Sequence, residues 1–336
     1  MSELKVLEEQ LLSADSDITK KYRALFTLRN IATPEATLVL EKCLLDREND
    51  EGDRSALLKH EVAYALGQIG LASSLQTLEK VLSDTSVHSM VRHEAGEAIG
   101  ALNLPESLPI LKKFANDQVR EVAETCQLAI DRVNYYQQQL QKQKDDKNEQ
   151  DDSSTASTMK HKSVDPAPPL ALNSVAELSA VLKDQETPLF ERYRAMFALR
   201  EEGSAPAVQA LCDLFDDESA LLKHEVAFVL GQMARGEAID TLVRVLKDKN
   251  ENIMVRHEAA EALGACAGET LAAVMRGEAA TGDGDATLKL LAEHADDDAE
   301  DVVVVQSVAV ALDVAQYTAS TDFQYCETNE SLGQQQ

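Results

Sequence analysis

A chain of 336 residues with 59 acidic against 32 basic side chains carries a formal charge of −27. That balance disfavours nucleic acid and anionic membrane as partners and favours a basic one. Tryptophan is absent and Ala, Leu, Val, Glu and Asp dominate, a composition that suits helices better than sheets, at a length that allows two or three domains.

Apolar runs at a period of 3.6 residues, parted by short polar breaks, predict helices in pairs along the chain. In order they are 4–13 with 17–31, 34–45 with 55–70, 73–83 with 88–102, and 106–115 with 118–135. The stretch 137–173, "QQQLQKQKDDKNEQDDSSTASTMKHKSVDPAPPLALN", loses that period and ends in a proline cluster, so a disordered polar linker is expected there. Pairs resume as 174–184 with 188–201, 205–215 with 219–234, 237–248 with 252–267, and 284–294 with 299–316. The β-branched run "DVVVVQSVAVAL" (301–312) falls where a second helix belongs and is read as helix. The expected organisation is an N-terminal half 1–136, the linker 137–173, a C-terminal half 174–317 and a flexible tail 318–336. Eight helical hairpins of this length predict an all-α fold, an α-solenoid in two pseudo-symmetric halves of four.

The segment "MSELKVLEEQLLS" at the start is amphipathic and charged, unlike a signal peptide, and no apolar run approaches the roughly 20 residues of a bilayer span. Five cysteines (Cys43, Cys126, Cys212, Cys266 and Cys326) are scattered without a paired spacing. Reduced thiols and a cytoplasmic location are expected, with Cys126 and Cys266 as small core residues.

The two halves are copies. "YRALFTLRN" (22–30) returns as "YRAMFALRE" (193–201), "LLKHEVAYALGQ" (57–68) as "LLKHEVAFVLGQ" (221–232), and "MVRHEAGEAIGAL" (90–102) as "MVRHEAAEALGAC" (254–266). His93 follows His60 by 33 residues and His257 follows His224 by 33. The outer repeats act as an internal control. At the histidine position they carry Tyr22, Glu121, Tyr193 and, in approximate register, Val303. Packing therefore does not require His-Glu there, and only the two central repeats of each half have it. The remaining histidines read differently: His161 and His294 as solvated, His88 as a residue near a helix cap. Ala63, Leu66, Ala227 and Leu230 read as core, and Gly67, Gly100, Gly231 and Gly264 as points of close helix packing.

Adjacent second helices of a stack lie roughly 8–10 Å apart, so equivalent imidazoles can converge on one metal. His60 with His93 makes one such pair, and His224 with His257 another. Glu61, Glu94, Glu225 and Glu258 add carboxylates about 100° round each helix. Two histidines and a carboxylate suit an open-sided ferrous site, and two half-sites facing each other across a pseudo-twofold axis would make a dinuclear centre.

The second helices, as in "SMVRHEAGEA" (89–98) and "DQVREVAETC" (117–126), resemble HEAT repeats. With "KHE…RHE…KHE…RHE" in the second and third repeat of each half, nearly the whole chain resembles the deoxyhypusine hydroxylase family. That resemblance implies a di-iron monooxygenase that hydroxylates the deoxyhypusine side chain of the translation factor 5A precursor, using O2 and an external reductant. It implies two Fe2+ ions per chain, one held by His60, His93 and Glu94, the other by His224, His257 and Glu258. Glu61 and Glu225 would bind the substrate side chain, whose ammonium groups suit charge-assisted hydrogen bonds. Monomeric action without nucleic acid or membrane is expected. No flavin, haem or nicotinamide motif supplies electrons. A long linker and an acidic insertion at 276–301 depart from the minimal pattern without touching a motif residue. The alternative is a non-catalytic HEAT-repeat scaffold that grips a basic protein with solvated His-Glu pairs. A lyase similar to those that attach bilins is disfavoured by the lack of an evident catalytic cysteine.

Overall fold

A computed structural model describes residues 3–47, 52–146, 163–171, 174–295, 297 and 299–319. Among them the regular structure is helical throughout, in sixteen α-helices with short 3-10 turns between some of them. Four hairpins form the first half: α1 (Glu3–Leu12) with α2 (Ile18–Ile31), α3 (Pro34–Leu45) with α4 (Asp53–Ile69), α5 (Leu75–Ser83) with α6 (Ser89–Leu102), and α7 (Leu108–Phe114) with α8 (Arg120–Asp146). The second half repeats them as α9 (Val175–Lys183) with α10 (Leu189–Glu202), α11 (Ala205–Cys212) with α12 (Ala220–Met233), α13 (Ile239–Lys247) with α14 (Ile253–Met275), and α15 (Gly284–Ala295) with α16 (Val302–Thr318).

Local chemistry sets the ends. Asp17, Thr33, Ser174 and Ser204 cap their helices by accepting a hydrogen bond from a backbone N–H of the first turn, which satisfies a donor that the helix itself leaves open. His88 does the same for α6, its Nδ1 accepting from the Met90 N–H, and Asn252 takes that place on α14. The run Val302–Thr318 is helical despite its β-branched residues because one face is buried on α14 and α15, and packing outweighs a weak propensity.

A repeated arginine device fixes the inner helices. Arg92, Arg192 and Arg256 are buried, and each Nε donates to the last-turn carbonyl of the preceding outer helix, at Leu82, Leu182 and Leu246. The same guanidiniums pair with Asp117, Asp217 and Glu300, which stand just ahead of the next inner helix. Each arginine thus ties one hairpin together and sets the start of the following inner helix. Lys59 and Lys223 hold the two remaining central helices, donating to the Asp46 carbonyl and pairing with Glu251.

The solenoid closes on itself. The inner helices touch in the cycle α2, α4, α6, α8, α10, α12, α14, α16 and back to α2. At one seam Arg23 of α2 binds Asp313 of α16 and lies over the Tyr317 ring at 4.1 Å. At the other, Arg194 of α10 lies over the Tyr135 ring of α8 at 5.2 Å, and Glu124 and Glu121 of α8 accept from Ser219 and Asn252. Arg23 and Arg194 are equivalent in the duplicated halves, as are Tyr317 and Tyr135, so the seams obey the same pseudo-twofold relation.

The expected linker 137–173 is corrected at both ends. Helix α8 runs on to Asp146 because "QQQLQKQKDD" contains good helix formers and no breaker. Residues 163–171 lie against the helices, with Pro166 and Ala167 buried. Residues 147–162 and 172–173, and most of the expected tail, lie outside the described residues. α14 also extends eight residues past its expected end at 267, and α15 forms within the acidic insertion. All four described cysteines are buried and free, and no helix among the described residues is long and apolar enough to cross a membrane.

The glycines at the helix contacts have no room for a side chain. A Cβ on Gly264 would lie 2.4 Å from the Ala311 carbonyl oxygen, and one on Gly67 2.9 Å from the Ala98 Cα. Gly264→Ala should therefore lower unfolding stability by about 1–3 kcal/mol through overpacking, with a smaller loss for Gly231→Ala, whose nearest contact is 3.1 Å. Urea unfolding of the two variants checks this, and equal losses would contradict it.

Candidate metal centre

Four inner helices bring the motif residues to the middle of the ring. α4 carries His60 and Glu61, α6 carries His93 and Glu94, α12 carries His224 and Glu225, and α14 carries His257 and Glu258. All four imidazoles are buried, His93 and His257 almost completely. Ring centroids are 5.3 Å apart for His60–His93 and again for His224–His257. Across the halves, His60 lies 5.7 Å from His224 and 5.2 Å from His257, and His93 lies 5.4 Å from His224. The two half-sites therefore meet in one cluster, and Tyr64 and Phe228 meet edge to face beside it at 5.8 Å.

Each half also pairs a histidine with its own carboxylate. His60 Nε2 is 3.2 Å from Glu94 Oε2, and His224 Nε2 is 3.4 Å from Glu258 Oε2. Ligating atoms of His224, His257 and Glu258 lie within 4.8 Å of one another, as do those of His60, His93 and His224, and those of His93, Glu94 and Glu97. Both ring nitrogens of all four histidines are buried without a hydrogen-bond partner. Leaving a buried polar group unsatisfied costs about 1–3 kcal/mol, so four such imidazoles, each with one nitrogen able to ligate, point to a ligand that they jointly bind. Nitrogen and carboxylate donors of this kind fit a divalent transition metal.

Two site residues escaped the sequence reading. Glu97 and Glu261 follow His93 and His257 by one helical turn, so they project on the same face, and they line the same cavity. The signal was available: "RHEAGE" and "RHEAAE" both keep this glutamate, where the KHE helices have Tyr64 and Phe228. The cavity holds about 270 Å³ and is walled by Phe26, Tyr64 and Phe228, with Glu61, Glu225 and the other four glutamates around it.

Burial dominates the electrostatics. It pushes the Glu61 carboxyl up to about 7 and that of Glu94 up to about 8, helped by neighbouring carboxylates. Glu97, Glu225 and Glu261 are raised well above the ordinary range for the same reasons. Burial, together with the other imidazoles, holds His93 and His257 well below the usual histidine value, and burial also lowers His60. Neutral imidazoles are the form that ligates metal.

The comparisons with known proteins give the family. A family model of HEAT repeats matches residues 51–131 and 208–312. Deoxyhypusine hydroxylase of Danio rerio is 43% identical over 317 residues, covering 94% of this chain and 93% of its own. That of Xenopus laevis is 45% identical over 324 residues, 96% and 94% of the two chains. That of Homo sapiens is 41% identical over 330 residues, 98% and 97%. The chain belongs to the deoxyhypusine hydroxylase family. The structure of human deoxyhypusine hydroxylase in complex with glycerol superposes with a TM-score of 0.78 at 41% identity, covering 94% of this chain and 96% of that one. Membership of this enzyme family, with burial of the histidines, displaces the alternative of a scaffold bearing solvated His-Glu pairs.

The raised carboxyls give a pH dependence with a defined sign. Glu61 and Glu94 keep protons in the metal-free fold that the unfolded chain has lost above its ordinary value of 4.5. The stability they contribute is complete below that value and is lost as pH rises through about 7 to 8. The thermal midpoint of metal-free protein should fall from about pH 6.5 to about pH 8. Below that range the depressed imidazoles of His60, His93 and His257 act in the opposite sense, because the unfolded chain takes up protons that they do not. Glu94→Gln should flatten that slope, and added Fe2+ or Mn2+ should raise the midpoint most at the alkaline end, where protons no longer compete. A midpoint that rises from about pH 6.5 to about pH 8 in the metal-free protein would contradict the assignment.

Proposed function

We propose that this chain hydroxylates the deoxyhypusine side chain of the translation factor 5A precursor, using O2, an external reductant and two ferrous ions, and acts as a monomer in the cytoplasm. One observation carries the reading. In a chain of this family, the histidines are buried with every ring nitrogen unpartnered, amid carboxylates, at the centre of the ring. All of these donors come from one chain, so no second copy is needed to complete the site.

The ions would be held half by half, one by His60, His93 and Glu94, the other by His224, His257 and Glu258. The short approaches of Glu94 to His60 and of Glu258 to His224 support that division. Bound there, the iron pair would supply O2 activation and transfer of one oxygen atom to a C–H bond. The chain's own residues do the rest. Glu61 and Glu225 line the cavity without being needed as ligands, and their carboxylates can accept charge-assisted hydrogen bonds from the secondary and terminal ammonium groups of the substrate. Phe26, Tyr64 and Phe228 offer apolar walls to its methylenes and exclude water. Holding one methylene in place in this way converts binding energy into rate.

Replacement of His60, His93, Glu94, His224, His257 or Glu258 by Ala should lower both iron content and hydroxylation. Glu61→Ala and Glu225→Ala should keep the iron and lose turnover by 10²-fold or more, on the order expected when a positioning contact is removed. Elemental analysis of untagged protein, with mass spectrometry of the substrate for gain of one oxygen, reads both. Iron-free, zinc-only protein as isolated, or equal iron loss in all eight variants, would overturn the reading.

A further inference from the structure

The duplicated halves predict two equivalent mouths to the central cavity, and among the described residues one is open and the other is filled. Next to the cavity, a second hollow of about 310 Å³ opens between α2, α12, α14 and α16, lined by Tyr22, Phe26, Arg29, Gln232, Glu261 and Val314. By the internal repeat, the matching place lies between α10, α4, α6 and α8. There the equivalents of Arg29, Gln232 and Val314 are Arg200, Gln68 and Arg132.

That place is filled by residues 163–171. The Gln68 side chain forms a two-way pair with Val164, its Nε2 donating to the carbonyl and its Oε1 accepting from the N–H. Arg132 Nε donates to the Asp165 carbonyl at 2.9 Å. The Arg200 guanidinium, fully buried, grips both oxygens of the Asp165 carboxylate at 3.0 and 2.6 Å. Arg194 Nε donates to the Pro168 carbonyl, and the Leu170 N–H donates back to the Arg194 carbonyl. The contrast at the open mouth is sharp in chemical terms. Val314 stands where Arg132 would reach a strap, and among the described residues Arg29 has no ion-pair partner where Arg200 holds Asp165. Ser163 Oγ also accepts from Arg200 and from Gln232, which stands between the two mouths. One buried bidentate pair and seven further polar contacts over nine residues form a built seat, not a passing contact.

We propose that residues 163–171 are an internal plug that seals one of two pseudo-equivalent mouths, so that a cationic side chain reaches the buried acidic cluster only through the mouth of Phe26, Arg29, Glu261 and Val314. The occupant of the open mouth follows from charge complementarity, since six glutamates line the cavity behind it. The identity of that occupant rests on the hydroxylase reading, but the one-sidedness of access does not. A consequence is that the pseudo-symmetric half-sites are unequal: Glu258 and Glu261 stand at the entrance, and their counterparts Glu94 and Glu97 lie on the plugged side.

The test measures access directly and needs neither iron nor turnover. On a Cys326→Ser background, whose other cysteines are buried, Val310→Cys places a thiol in the open mouth and Leu128→Cys places one at the equivalent position on the plugged side. An aminoethyl thiosulfonate, a cationic thiol reagent about as large as the end of a lysine side chain, is the probe. Val310→Cys should react at least tenfold faster than Leu128→Cys. Replacing residues 164–168 with glycine and serine should raise the Leu128→Cys rate at least tenfold and leave Val310→Cys unchanged. Should either variant fail to fold, the half-buried pair Ala265→Cys and Ala101→Cys reads the same contrast. Equal rates with the plug intact, or no acceleration after its replacement, would overturn the proposal. Absence of hydroxylation by the unaltered, iron-loaded protein, with these rates as expected, would instead count against the proposed activity.

Discussion

Four imidazoles and six carboxylates share the centre of this molecule, and Arg29 is the one cationic side chain among the residues that line their cavity. Such a cluster is costly, because buried imidazole nitrogens need partners and burial pushes the carboxyls of Glu61, Glu94, Glu97, Glu225 and Glu261 up. A bound divalent cation removes both costs at once, as the lone pairs gain a common acceptor and the carboxylates a counter-charge. The surrounding fold has to keep the cluster from relaxing into water or collapsing on itself. The arginines next to His93 and His257 do this from behind, each bound to a carbonyl on one side and a carboxylate on the other. The glycines of the central helices do it from the side, since backbone-to-backbone approach leaves the helices no freedom to slide.

Closure of the ring turns two acidic grooves into one enclosed site. An open solenoid would have displayed each His-Glu half on a concave surface. With α2 against α16 and α8 against α10, the halves face each other, and His60 is as near to His257 as to His93. Duplication made this inexpensive in sequence, because one set of helices supplies both sides. It also created a symmetric pair of mouths, and the segment between the halves is what breaks that symmetry.

Much of the site was legible in the sequence because the chain contains its own comparison. Eight repeats with a common packing problem differ at the histidine position, and only the central four carry His-Glu. The same comparison held Glu97 and Glu261, which passed unnoticed because attention to adjacent letters hides residues one turn away on the same helix face. Boundaries drifted where periodicity stops informing. The polar end of α8 continues the helix with good helix formers, and α14 extends through Gly268 because Ala315 of α16 gives it a partner.

The sequence by itself determined the helices, their pairing, the duplication and the residues that carry the chemistry, since each of these follows from period, capping and repetition along one chain. Only the tertiary structure decided that the two halves close into a ring, that their histidines form a single cluster, and that Asp165 lies on Arg200. Those outcomes depend on contacts between residues far apart in the chain. An arginine bound to an aspartate and an arginine left at an open mouth look alike in the sequence, and only the fold distinguishes Arg200 from Arg29.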